Sequence, residues 1–223
     1  MLNSNESNIP INTFDLNSVV EKHIIYVIHG AKDSGKTKLT SKIANFLEMY
    51  HRKYDQNMII SGYSDQSPFL QNYDVCQEYS SDHFDKFSMT VRQNVDNKTT
   101  RFLHIADQVP GIEKNDKYVG LYMNHRHYRI SMIYTSQYPL SLTPALRGNS
   151  DYIFILAEKS PSVREMLYHA YGCMIFSNVE LFYKVLDQCT QNNGGTMVIR
   201  IPRRSRKDTQ SDYDMIKEYV SSF

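Results

Sequence analysis

The apolar run Ile24-Ile25-Tyr26-Val27-Ile28 has the continuous hydrophobicity of a strand buried on both faces, and it predicts a first strand over 23–29. Leu39, Ile43, Phe46 and Leu47 follow at helical spacing and predict a helix running to about 54. It closes on His51, Arg52 and Lys53, cations that suit a helix C-terminus. A second strand is expected over 57–61, ended by Gly62. The stretch 64–97 is mixed, with one helix over about 82–94 whose apolar positions are Phe84, Phe87 and Val91. Then come a mostly apolar strand over 101–108, a helix over about 112–125 and a strand over 130–137. A short turn built on Pro139, Pro144 and Arg147 leads to a strand over 151–156. Helices over about 161–171 and 178–188 precede a last strand over 196–201 that is expected to end the sheet. Strands alternating with helices predict a three-layer α/β fold around a mostly parallel central sheet.

Composition narrows this picture only slightly. A length of 223 residues suits one domain with a core of its own. Residues 1–20 read as a flexible or loosely docked lead-in, 21–201 as the domain, and 202–223 as a basic C-terminal segment with a terminal helix. With 25 basic against 24 acidic residues, any nucleic-acid contact has to be local. No apolar run is long enough to span a membrane, and the polar N-terminus lacks the cationic start and apolar core of a signal peptide, which points to a cytosol-like compartment. Cys76, Cys173 and Cys189 lack metal spacing and read as reduced thiols.

Candidate chemistry is concentrated in Gly30-Ala31-Lys32-Asp33-Ser34-Gly35-Lys36-Thr37, which satisfies G-x-x-x-x-G-K-[ST] between a strand and a helix. The glycines let backbone N–H groups face the β- and γ-phosphates of a nucleoside triphosphate, Lys36 brings a cation to them, and the Thr37 hydroxyl suits Mg²⁺. The strand over 101–108 delivers Asp107 at its carboxyl end, where ligands of parallel sheets sit. Asp107 reads either as the second Mg²⁺ ligand or as a cap of the following turn. Ser136 and Gln137 end the strand over 130–137 and are expected beside it. Extra strands between the phosphate loop and Asp107 point to a RecA-like P-loop NTPase. Simple nucleotide kinases tend to place the two in adjacent strands, and no arginine-bearing lid of a nucleoside or nucleotide kinase is evident.

The block Asn124-His125-Arg126-His127-Tyr128-Arg129-Ile130-Ser131, with Thr135-Ser136-Gln137-Tyr138-Pro139 and Leu146-Arg147-Gly148-Asn149-Ser150-Asp151-Tyr152 after it, resembles the genome-packaging ATPases of large DNA viruses, which belong to the FtsK–HerA class of DNA-pumping motors. The resemblance covers about residues 23–200. It implies ATP hydrolysis driving double-stranded DNA into a capsid, a closed ring of about five or six subunits, a capsid or portal partner, and a location in the infected host's cytoplasm or the virion. It also implies catalytic roles for Lys36, Asp107 and Gln137, and makes Arg147 a candidate arginine finger, with Arg126 and Arg129 as competitors. Gln108 departs from the family, which usually has an acidic residue there. An amide orients water but cannot take its proton. Another carboxylate such as Glu113 or Asp116 serves instead, or hydrolysis is slow, or the position was altered to trap ATP. The run Arg203, Arg204, Arg206 and Lys207 is either a DNA phosphate contact or a solvated charge run. The alternative to a motor is an ATP-gated DNA-binding or assembly scaffold.

Overall fold

The structure, a computed structural model, describes residues 9–19, 23–50, 56–61, 76–78, 80–96, 100–192, 194–202 and 211–223. Its strands are β1 (Asn12–Thr13), β2 (Ile25–His29), β3 (Gln56–Ser61), β4 (Cys76–Glu78), β5 (Phe102–Asp107), β6 (Ile130–Ser136), β7 (Tyr152–Leu156), β8 (Thr196–Arg200) and β9 (Val220–Ser222). They form one nine-stranded sheet in the order β1-β9-β8-β7-β2-β6-β5-β3-β4. Only β8 pairs antiparallel with its neighbours β7 and β9; the other pairings are parallel. The helices are α1 (Lys36–Tyr50), α2 (Ser81–Gln93), α3 (Asp116–Met123), α4 (Pro144–Asn149), α5 (Pro161–Leu167), α6 (Val179–Thr190) and α7 (Asp212–Tyr219).

The alternation of strand side chains builds the two cores. From β2, Ile25 and Val27 enter one core together with Phe84 and Val91 of α2, Tyr118 and Leu121 of α3, and Phe182 and Val185 of α6. Tyr26 and Ile28 enter the other, with Leu39, Ile43, Ala44 and Leu47 of α1. Every residue of β2 is buried, which is why its sequence is apolar without alternation. The three-layer α/β architecture predicted from the sequence is thus present. One strand, β6, separates the strand leading into the phosphate loop from the strand that ends in Asp107, the spacing expected of the RecA-like arrangement.

Several local features differ from the expectation. The helix over 112–125 is interrupted: Ile112–Lys114 form a 3-10 turn, and Asn115 caps α3 by accepting the N–H groups of Lys117 and Tyr118 at 2.9 and 3.1 Å. An Asn side chain that takes these otherwise unpaired donors starts a new helix. The stretch after Pro139 holds α4, capped by Thr143 and begun by Pro144. α5 runs on into a π-helical turn over Tyr168–Gly172. β8 does not end the sheet, because β9 and then β1 extend it. Residues 9–19 pack on the domain, Ile9 N–H donating to Gln188 Oε1 at 3.2 Å and the Phe14 ring lying against Tyr152, Phe154 and Phe223. The tail cations Arg203, Arg204, Arg206 and Lys207, together with Gly62 and the last residues of the predicted first helix, lie outside the described residues.

Candidate nucleotide site

The loop Gly30–Thr37 leaves the carboxyl end of β2 and enters α1. Its curl rests on two residues with positive φ, Asp33 at 60° and Gly35 at 99°, and glycine adopts such angles without strain. Gly30 is required for another reason: a Cβ there would lie 2.4 Å from Ser34 Oγ and 3.1 Å from Leu156 Cβ. Lys36 is 4 % exposed and folds back over the loop, donating from Nζ to the carbonyls of Gly30 and Ala31 at 2.9 and 2.7 Å. Burial pushes its ammonium below the usual lysine range, while the charges of Asp107 and Asp33 pull it back up. Ser34 Oγ is buried without a hydrogen-bond partner, so the loop retains an unpaired hydroxyl beside its backbone donors.

Across the sheet, the register sets His29 opposite Ser136 and Thr135 opposite Asp107. Asp107 is 4 % exposed and accepts a hydrogen bond from Thr135 Oγ1 at 2.6 Å. Thr135 Oγ1 in turn accepts the Gln108 N–H at 3.0 Å. Burial raises the Asp107 carboxyl above the usual carboxylate range; the Thr135 hydroxyl, the Lys36 charge and Gln108 oppose that rise. A buried carboxylate next to a lysine, with one oxygen already held, is a hard-oxygen group of the kind Mg²⁺ takes. Together with the Thr37 hydroxyl it fits an ion that completes its shell with phosphate and water. Among the described residues, no group of three His, Cys, Asp or Glu side chains could hold a metal by itself.

Gln108 has left-handed backbone, φ 52°, and its Oε1 accepts from Gln137 Nε2 at 2.8 Å. The two predicted polar residues are therefore paired with each other, at a cleft of about 280 Å³ that Glu113, Tyr134, Ser136, Tyr138 and Ser141 also line. Ser136 Oγ accepts from Tyr138 N–H and from Ser141 Oγ, both at 3.0 Å, which bends the chain after β6. Of the carboxylates suggested in place of an acidic residue at 108, Glu113 is buried in this cleft's wall and Asp116 is exposed at the start of α3.

The arginines separate by position. Arg126 donates to Asp151 Oδ1, and Asp151 Oδ2 accepts the Ile25 N–H at 2.9 Å. Arg129 donates to the Val95 carbonyl at 2.6 Å. Both lie at the entry ends of β2, β6 and β7, the edge opposite the phosphate loop. Arg147 is half-buried, donates to the Leu142 carbonyl at 2.7 Å and brings its charge to bear on His29 and Tyr171.

Sequence reasoning missed His29. It ends β2 immediately before the loop, is 1 % exposed, and its Nε2 lies 2.8 Å from Tyr171 Oη in the π-helical turn. Burial pushes the imidazole down to about 3; Arg147 and Lys36 push the same way and the Ser136 backbone opposes them. The signal available was a polar residue at the last position of an otherwise apolar run.

No protein-family model matches the chain. Over 71 residues it is 45 % identical to the uncharacterised protein L437 of Acanthamoeba polyphaga mimivirus, a match covering 32 % of this chain and 25 % of L437. Over 208 residues it is 26 % identical to the uncharacterised protein 088R of Invertebrate iridescent virus 3, covering 86 % of this chain and 72 % of that one. The chain thus spans about a quarter of L437's length and under three quarters of 088R's. Among solved structures it is similar to B204, the DNA-packaging ATPase of Sulfolobus turreted icosahedral virus, with TM-score 0.61 and 15 % identity over 81 % of this chain and 93 % of B204. The B204 genome packaging NTPase of Sulfolobus turreted icosahedral virus 2, in complex with AMPPCP, gives 0.58 and 17 % over 80 % and 92 %. The chain therefore has the fold of the viral genome-packaging ATPases, the class that its sequence block resembles.

Proposed function

We propose that this chain is the ATP-hydrolysing subunit of a motor that moves viral double-stranded DNA into a capsid. The observation that carries the reading is that Lys36, folded over the loop, and the buried Asp107 lie close enough for their charges to act on each other at the carboxyl edge of a parallel sheet, on a fold shared with proteins named as packaging ATPases. In this reading Lys36 exchanges the carbonyls of Gly30 and Ala31 for β- and γ-phosphate oxygens, and the loop N–H groups with the start of α1 hold the rest of the triphosphate. Thr37 and Asp107 hold Mg²⁺, which neutralises charge on the phosphates when bound. Gln137 orients Gln108. Arg147 is the arginine that stabilises transition-state charge, either at its own site or across a ring interface, because Arg126 and Arg129 are held at the far edge. The ring, the capsid or portal contact and the place of action in the host cytoplasm or virion belong to the same proposal. No helix among the described residues is long and apolar enough to cross a membrane.

Steady-state hydrolysis of Mg·ATP with and without double-stranded DNA tests it. DNA is expected to raise turnover, with the protein sedimenting as an oligomer in the presence of both ligands, and Lys36→Ala is expected to abolish turnover and weaken nucleotide binding by at least tenfold. A strictly monomeric protein whose turnover ignores DNA sinks the motor. The Gln108–Gln137 pair favours a second reading, an ATP-gated DNA-binding or assembly scaffold. Tight ATP binding with background turnover in both the native protein and Gln108→Glu would select it.

A further inference from the structure

Glu113 sits in the wall of the cleft that Gln108, Thr135, Ser136 and Gln137 line. It belongs to a 3-10 turn whose preceding Gly111 has φ 79°, so the chain doubles back after Asp107 and returns a carboxylate toward the end of the strands. The residue is only 9 % exposed. Its Oε2 is buried and has no hydrogen-bond partner, and its charge is felt by Tyr134 of β6 and Tyr118 of α3. A carboxylate oxygen buried without a donor is costly to a fold and is kept where a ligand or a water completes it. The position beside Asp107 where a proton acceptor is expected holds an amide, and that amide is tied to Gln137.

We infer that Glu113 is the proton acceptor of the hydrolysis site, taking over from position 108 the part that an amide cannot perform; this rests on the ATPase reading above. Gln108 and Gln137 then position the attacking water as a pair, and Glu113 receives its proton. The water oxygen bonds to the γ-phosphorus while the bond from that phosphorus to the β–γ bridging oxygen breaks, its electron pair leaving on ADP. The displaced water proton goes to Glu113 and from there to solvent. Asp116, exposed at the start of α3 and outside the cleft's lining, takes no part.

The test uses the full chain in four forms: native, Glu113→Gln, Gln108→Glu/Glu113→Gln and Lys36→Ala. Turnover of Mg·ATP, affinity for a fluorescent ATP analogue and the thermal midpoint are measured for each. Removing a general base is expected to lower kcat by about a hundredfold or more, with analogue affinity within about threefold of native and no fall in the thermal midpoint. Restoring a carboxylate at 108 in the double variant is expected to recover at least tenfold of that loss, which a purely structural role for Glu113 would not allow. Glu113→Gln turning over at the native rate while Lys36→Ala is inactive overturns Glu113 and leaves the ATPase reading standing. Native protein that binds the analogue without turnover overturns both.

Discussion

Asp151 shows how much depends on single polar atoms in this chain. Its carboxylate accepts the Ile25 N–H and the Arg126 guanidinium, with His125 Nε2 at 3.6 Å, so the two oxygens fix the entry to β2 from inside the domain. Asp151→Ala would leave the Ile25 N–H unpaired in a buried position, and a destabilisation of about 2–3 kcal/mol is expected in urea unfolding, with Arg126→Ala milder because that side chain is half exposed. Gly30→Ala pushes a methyl into Ser34 and Leu156; nucleotide affinity is expected to fall at least tenfold, read by titration with a fluorescent ATP analogue. The place of the phosphate loop between a strand and a helix was legible from residue spacing, and that of Asp107 at a strand's carboxyl end from the apolar run before it. The arginines were not sorted by it: Arg126, Arg129 and Arg147 look alike in a string, and only the direction of β2, β6 and β7 assigns them to opposite edges. The block that carries the family resemblance is in part a structural network, with Arg126 on Asp151 and Tyr122 Oη 2.8 Å from Ser150 Oγ. Glu113 could be named from the sequence as one of two carboxylates, but burial, which distinguishes it from Asp116, depends on the turn at Gly111.

At the level of elements, the long buried strands and the helices with a full apolar stripe were readable, and the short pieces were not. β1, β4 and β9 each have two or three residues, too few for any periodicity to show. The orientation of β8 was equally hidden, since a strand buried on both faces has the same composition whichever way it runs. The helix predicted over about 161–171 is α-helical only to Leu167, and the π-helical turn that brings Tyr171 to His29 depends on Gly172, where a Cβ would meet the Phe182 ring at 2.8 Å. Phe14 joins the lead-in to the sheet through three aromatic neighbours with ring centroids 5.4 to 5.8 Å away. Phe14→Ala is expected to cost about 2 kcal/mol in urea unfolding, whereas a segment that merely trails the domain would tolerate the change without a measurable shift.

For the molecule as a whole, two buried histidines set an acid limit. Burial holds His29 and His104 down to about 3, whereas an unfolded histidine titrates near 6.5, so protons bind the unfolded chain preferentially between those values. The stability that these neutral imidazoles permit is complete above about pH 6.5 and is lost as pH falls through that window. At pH 5 the loss amounts to about 2 kcal/mol for each histidine. His104 packs among Phe84, Phe87 and Tyr118, so His104→Phe is expected to flatten the dependence by about half between pH 7.5 and pH 5, measured by urea midpoints. An unchanged slope would place the acid sensitivity elsewhere.

The position of β9 between β8 and β1 bears on how the protein is made. Strands β2, β5, β6 and β7 can find one another while the chain is still emerging from the ribosome, because all their neighbours except β8 are already synthesised. β1 cannot. Its sheet partner follows every other strand in the chain, so the segment around Phe14 can rest on Tyr152 and Phe154 of β7 earlier, but its own strand pairing has to wait until residues 220–222 have been made.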